Sequence, residues 1–500
     1  MRSTFAGLET ARRGMTAQQS ALFVTGHNIA NANTPGYSRQ RVNFNQTEPY
    51  PAPAMNRPAI PGQIGTGVEG GTIERIRNSF LDTQYRGENT KMGYWSSRSE
   101  ALGKMEEIMN EPSENGLSVT LDRFWQGLQD LSVQPEDPGA RSVVLERGRA
   151  VSETFNYLSN SLSAIQKDFK DQVNISVEQI NSIARQINNV NNQIASIEPH
   201  GYLPNDLYDE RDRLIDQLSE MVDIKVTRVD SGGNPNEIAE GLMRIDIMDA
   251  SGNPIGLLVD ARNKSVNELG VKYGENENKE LVETLTVGSK EINVNQFTVN
   301  GKFRSLIDSA GYVDKNGEPA GLYPDMIEEL DALAQSYVMA FNTAHKQGKD
   351  LYGNDGIDFF DASTPPITAA TMKLNPLMTK ERIAASEDGT TGNGANAQAL
   401  ANVRDNVVMN GVATSVNAYY EGIIGEMAVK SQEAVRLAGN SDILRSSVEQ
   451  KRQSESAVSI DEEMTNMIKF QHAYNAAARN ITLVDEMLDK IINGMGTGGR

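Results

Sequence analysis

The chain has 500 residues, more than one compact domain normally holds, and its 38% hydrophobic and 6% aromatic content supports several modest cores rather than one large globule. A formal net charge of −20 disfavours nucleic acid as a partner, because phosphate binding needs a basic face. There is no cysteine, which excludes a disulfide scaffold and thiolate chemistry, and no run approaches the roughly 18 apolar residues of a membrane span.

The charge is uneven. Residues 1–80 hold eight Arg and four Glu with no Lys or Asp, a net +4, which leaves −24 on the remainder. Such a split suits head-to-tail contacts between copies as well as a plain solvated surface. The only early apolar run, Ala21-Leu22-Phe23-Val24, is too short for the core of a signal peptide. The expectation is a protein that stays in the cytosol or leaves by a route needing no cleaved signal.

In chain order, Thr4, Leu8, Ala11, Met15, Gln18, Leu22, Thr25 and Ile29 alternate steps of four and three, a heptad pattern. Only one of its tracks is strong: Leu8, Met15, Leu22 and Ile29. The helix runs into Asn31 and stops at Thr34-Pro35-Gly36-Tyr37, where Pro followed by Gly is the chemistry of a type II turn. Residues 34–78 read as an extended Pro/Gly-rich connector. A helical region follows over 79–222, and its longest piece starts near Gly139-Ala140. There Phe155, Leu158, Leu162, Ile165 and Phe169 keep heptad spacing, Val173, Val177 and Ile180 insert a four-residue stutter, and the heptad resumes from Ile183. Leu207, Leu214, Leu218 and Met221 mark an antiparallel partner helix over Asn205 to Met221. Residues 223–312 break into short β-type runs split by Gly, Asn, Asp and Pro, the pattern of a β-rich insertion. A helix plus loop-rich segment is expected over 313–410, the second part of the helical rod over 411–456, and a last helix over 457–500. That helix repeats the opening design, with Met467, Tyr474, Ile481 and Leu488 as the strong track and Ile460, Met464, Gln471, Ala478, Asp485 and Ile492 beside it. Residues 494–500, rich in Gly, should be frayed.

The predicted fold is therefore mainly α with a β-rich inserted domain (α+β), elongated and built from discontinuous domains. Its N-terminal unit (1–33) and C-terminal unit (457–500) pair as an axial coiled-coil layer. A single apolar track cannot stabilise a helix of this length alone, since most helical stability comes from packing. Both ends are expected to gain order only among stacked copies.

Chemistry-bearing patterns are weak. Gly65-Thr66-Gly67-Val68-Glu69-Gly70 matches GxGxxG but opens no helix and sits in no βαβ unit, so a glycine-rich turn is the better reading. His27, His200, His345 and His472 are scattered without ligand spacing. Asp314-Lys315-Asn316-Gly317 lacks the remaining ligands of a calcium loop and reads as a turn. Asp461-Glu462-Glu463 is best placed to complement a helix N-terminus. No catalytic, cofactor-binding or metal-binding residues are predicted, and the reading is of a non-enzyme.

Asn28-Ile29-Ala30-Asn31, Thr34-Pro35-Gly36-Tyr37 and Ser38-Arg39-Gln40 resemble the N-termini of bacterial flagellar axial proteins, the rod, hook and hook-associated subunits. Asp461-Glu462-Glu463-Met464, Phe470-Gln471, Ala473-Tyr474, Ala478-Arg479 and Asp485-Glu486-Met487-Leu488 resemble their C-termini. Within that superfamily, NDLYDERDRLIDQLS at 205–219, FNTAHKQGKDLYG at 341–353 and GIDFFD at 356–361 resemble the first hook–filament junction proteins. One departure is Ala457, where the family usually has Gly; this puts a flexible joint there in question. The resemblance implies export through the flagellar type III channel without a cleaved signal. It implies a ring of identical copies at the hook tip, with the hook protein, the second hook–filament junction protein and an export chaperone at the C-terminal helix as partners, no nucleic acid and no membrane insertion. It also implies an inner tube of end helices, from which the turn Asn31, Thr34, Pro35, Gly36, Tyr37 leads the chain towards the outer layer. A sibling axial protein, hook or flagellin-like, and a secreted type III coiled-coil translocator or adaptor stay open as alternatives.

Overall fold

The computed structural model describes residues 5–51, 55, 62–109, 116–275, 280–363, 365–405, 407–409 and 412–494. Thr4 of the opening heptad and the closing residues 495–500 lie outside these. Helix α1 (Ala6–Ala30) leads through the turn into strands β1 (Gln40–Gln46) and β2 (Val68–Arg75). These strands pair antiparallel, with Gln40 opposite Arg75 and Arg41 opposite Glu74, so the connector holds a two-stranded hairpin along the end helices.

Helices α2 (Ser79–Met109), α3 (Leu117–Val133), α4 (Pro138–Ile197) and α5 (Asn205–Met221) follow. The 60 residues of α4 make a rod of about 90 Å. Asp137 caps it, accepting from the backbone N–H groups of Gly139 and Ala140 at 3.1 and 3.0 Å, with Pro138 at the first helical position. Most of the apolar stripe faces inward: Phe155, Leu158, Leu162, Phe169, Val173, Ile180, Ile187 and Ile194 are buried, and Ile165, Val177 and Ile183 are half-buried beside them. Two polar residues on that face, Asn181 and Asn191, are also buried, and each is satisfied by a strand. Asn181 exchanges two hydrogen bonds with the backbone of Leu269, and Asn191 does the same with Met243.

Those contacts dock two sheets onto the rod. Strands β3 (Ile224–Val229), β4 (Leu242–Met248), β5 (Pro254–Asp260) and β6 (Ser265–Val266) form an antiparallel meander in chain order. Strands β7 (Leu269–Tyr273), β8 (Val282–Val287), β9 (Lys290–Asn293), β10 (Tyr312–Val313) and β11 (Pro319–Ala320) form the second sheet. Helix α6 (Lys302–Ala310) lies between β9 and β10. Helix α7 (Leu322–Gln347) returns along the rod and joins an aromatic cluster of Phe124, Trp125, Tyr337, Phe341, Phe359 and Phe360. Helix α8 (Ala395–Asn402) and the hairpin β12 (Val407–Met409) and β13 (Val412–Thr414) lead to α9 (Val416–Ser456), which runs along α2, and to α10 (Ile460–Gly494), which runs along α1. Among the described residues no helix is long and apolar enough to cross a membrane.

Candidate assembly interface

Helices α1 and α10 pair antiparallel. Asn28 meets Glu463 near one end, and Gly7 faces Val484 towards the other, a separation of 21 residues along each helix. The buried face of α1 is made of small or polar residues, Ala11, Ala17, Ala21, Val24, Thr25 and Asn28. The predicted track Leu8, Met15, Leu22, Ile29 lies beside that face, half-buried. On α10 the predicted track Met467, Tyr474, Ile481, Leu488 is also half-buried. Its companions facing α1 are Glu463, Phe470, Ala477 and Val484, one position before each residue of the companion track read from the sequence. Met464, expected on the seam, is 53% exposed. At the observed register Ala17 and Ala21 come level with Tyr474 and Phe470, and the Phe470 ring meets Phe44 of β1 edge-on, centroids 6.1 Å apart. The pair is covered on one side only: Phe23 is 70% exposed, and Ile468, Met487 and Ile492 stay open as well.

The turn is built as its residues dictate. Gly36 has φ of +83°, and Tyr37 N–H donates to Thr34 O at 3.2 Å, closing a type II turn. Asn31 caps the end of α1: its amide donates to His27 O at 3.1 Å, and its oxygen accepts from Thr34 Oγ1 at 3.2 Å. Asn28 is the centre. Its amide donates to Gln40 O (2.8 Å) and Glu463 Oε2 (3.1 Å), and its oxygen accepts from Tyr37 OH (2.8 Å) and Gln40 N–H (3.0 Å). Glu462 and Glu463 lie in the first turn of α10, where they complement the helix N-terminus. They also accept from Arg39 at 2.6 and 2.7 Å, and Arg39 N–H donates to Ser456 O at 2.9 Å. Arg39 thus fastens the outgoing connector to the incoming last helix.

Below the turn lies an ionic joint that sequence reasoning did not identify. Arg75, Arg77, Arg86, Arg211 and Arg452 interleave with Asp82, Asp209, Asp212, Asp216 and Glu240. Glu449 joins them at the edge, 2.9 Å from Arg452. The joint ties the connector, α2, α5 and α9 together, and the turn hangs from it through Ser38, whose N–H donates to Asp209 Oδ2 at 3.0 Å. Burial opposes the charge on Asp212, but Arg77, Arg75, Arg211 and Arg86 outweigh it and hold its carboxyl well below the usual range. The readable signal was the 205–219 stretch, where Asp206, Asp209, Asp212 and Asp216 stand three or four apart and so share one face of α5.

The remaining candidates are structural. Gly67, within the GxGxxG match, has φ of +116° and packs against the backbone of Thr10 just before β2 begins. Asp314 accepts from the N–H groups of Asn316 and Glu318, closing the turn between β10 and β11. His345 is buried, its Nδ1 donating to Ile357 O and its Nε2 accepting from Ala384 N–H. His27, His200 and His472 are exposed, and among the described residues no His, Asp or Glu cluster could hold a metal. Ala457 is extended (φ −74°, ψ 153°), a conformation open to any residue, so this joint does not need glycine.

Residues 102–360 match the model of the flagellar hook-associated protein FlgK helical domain. The chain is 47% identical to flagellar hook-associated protein 1 of Bacillus subtilis over the whole of both chains. It belongs to the flagellar hook-associated protein 1 family. A more distant member, from Escherichia coli, is 23% identical across 97% of this chain and 99% of its own. Residues 8–37 match the flagella basal body rod protein family, and residues 449–494 match the flagellar basal body rod FlgEFG protein C-terminal family. Those two matches fall on α1 with its turn and on the end of α9 with α10, the elements that Asn28 and Arg39 fasten together. The flagellar hook junction protein FlgK of Burkholderia pseudomallei shares the fold, with a TM-score of 0.59 and 14% identity over 75% of this chain and all of that one. The family is a structural one of the bacterial flagellum.

Proposed function

We propose that this chain is the structural subunit of the junction between hook and filament, assembling as a ring of identical copies on which the filament is built, with no catalytic role. The observation that carries this reading is the full-length identity to hook-associated protein 1, extending through both end helices. In this reading the units 1–33 and 457–500 form the inner tube, the helices of 79–222 and 411–456 the surrounding layer, and the sheets of 223–312 the outer face. The connector 34–78 and the segment 313–410 join them. The half-buried tracks Leu8, Met15, Leu22, Ile29 and Met467, Tyr474, Ile481, Leu488 support it, because a seam covered on one side only is complete once neighbouring copies close the other. The hook protein and the second junction protein are the neighbours above and below. Before export by the type III route, without a cleaved signal, a chaperone shields α10.

The test is electron microscopy of a deletion strain. Hooks without filaments and flagellin shed into the medium are expected. Plasmid-borne wild type should restore filaments, whereas Ile481→Asp with Leu488→Asp should be made and exported without restoring them. Normal filaments in the deletion strain would defeat the proposal.

A further inference from the structure

Away from the ends, α7 and α9 splay apart over α2 and leave a trench of about 770 Å³, closed at one side by the β12–β13 hairpin. Its floor is sulfur-rich: Met105, Met326, Met409 and Met427 line it, nearly all of each buried. Thioether side chains are flexible and polarizable, and they adapt to apolar guests of varied shape. The rim has one sign. Asp325, Glu328, Glu329 and Glu426 stand along it against a single cation, Lys430, which is already paired with Glu426 at 2.7 Å. Burial pushes the Asp325 carboxyl above its usual range; the Gly321 N–H and Lys430 oppose the shift, and Glu329 and Glu426 add to it.

The trench has the dimensions of a helix. On α9 its wall is Ala418, Gly422, Glu426 and Lys430, every fourth residue over three turns, about 18 Å. Gly422 leaves the wall open: a Cβ there would meet nothing within 4 Å. Val412, at the hairpin edge of the trench, is 65% exposed. We infer that this trench is a docking site for an amphipathic helix of a partner protein, one that lays aliphatic side chains on the methionine floor and Lys or Arg against the Asp325–Glu328–Glu426 rim. The charge decides the occupant, since an apolar floor alone would accept any amphipathic helix and this rim accepts only a cationic one.

The test uses the full chain labelled with ¹³C at the methionine methyl groups. The probes are a synthetic Leu/Lys amphipathic helix of roughly four turns and its Leu/Glu isomer. The Leu/Lys peptide should shift the methyls of Met105, Met326, Met409 and Met427 saturably, leaving Met464, Met467 and Met487 of the end helix unmoved. Glu328→Lys with Glu426→Lys should weaken it about tenfold at low salt, with the difference shrinking as salt is added. Gly422→Trp, which has open space to enter, should block the peptide while the other methyls and the circular dichroism stay as in the wild type. Equal binding of the Leu/Glu isomer would overturn the proposal in favour of unselective apolar adhesion. Shifts centred on the end-helix methyls would move the site elsewhere. Trench shifts that grow with protein concentration in the absence of peptide would make a second copy the occupant and overturn the inference.

Discussion

Asn28 is 1% exposed and holds four hydrogen bonds that join α1, the turn, β1 and α10. Asn28→Leu keeps much of the volume and removes all four. At about 1 kcal/mol for each, with the Glu463 carboxylate and the Gln40 backbone left partly unpaired, the expected loss is about 4 kcal/mol. That corresponds to nearly a thousandfold in the local opening equilibrium. The loss should be local, because the core beneath α4 does not touch Asn28. The sequence leaves both ends unordered in a lone copy, whereas the structure pairs α1 with α10 through this network within one chain. In hydrogen exchange on the purified chain, amides of α1 and of the first half of α10 should then be protected in the wild type and exchange faster by about that factor in the variant. Amides of α4 and α5 should not change. Exchange in the ends within threefold of the wild type would show that the turn network does not fasten them, and the account of the joint would fail.

Asp212→Asn leaves Arg75, Arg77, Arg86 and Arg211 around a neutral amide. A broken buried pair of this kind costs about 3–5 kcal/mol, readable as a lower urea midpoint, and Arg86→Gln on the same chain should recover part of the loss. Burial lowers the pKa of His345 to about 4, so the folded chain keeps it neutral while the unfolded chain protonates near 6.5. Its contribution is intact above pH 6.5 and is lost as the pH falls from there towards 4, by about 2 kcal/mol between pH 8 and pH 5. Denaturant midpoints should show that slope in the wild type, and His345→Gln, though less stable at pH 8, should lose it.

Periodicity made much of this fold legible. The stripe Leu207, Leu214, Leu218 and Met221 marks a helix whose limits are those of α5, and the stuttered stripe of α4 is the face it buries. Pro35 and Gly36 identify their turn because φ values are local properties. The β1–β2 hairpin was less visible, because short strands paired across an intervening 21-residue stretch leave only weak alternation in each. The ionic joint was hidden for a stronger reason. Arg75 and Asp212 are 137 positions apart, and a charge on a helix face looks the same in sequence whether it faces water or a guanidinium. On α1, burial went to Ala11, Ala17, Ala21, Val24, Thr25 and Asn28 rather than to Leu and Met, because the helix packs on the hairpin as well as on α10, a second neighbour that a single heptad track does not reveal.

The polypeptide leaves the rod and re-enters it through one narrow neck. The outgoing connector and the three-residue link between α9 and α10 lie side by side there, bonded through Arg39 to Ser456 and to Glu463. The end pair is therefore held at this neck and again along the β1–β2 hairpin, where Gly67 packs against Thr10 and Phe44 meets Phe470, so neither helix can tilt without carrying the other. A load on the pair would reach the rod both through these ion pairs and through the hairpin, whose Arg75 and Ile73 are bonded to Asp209 and Asn205 of α5.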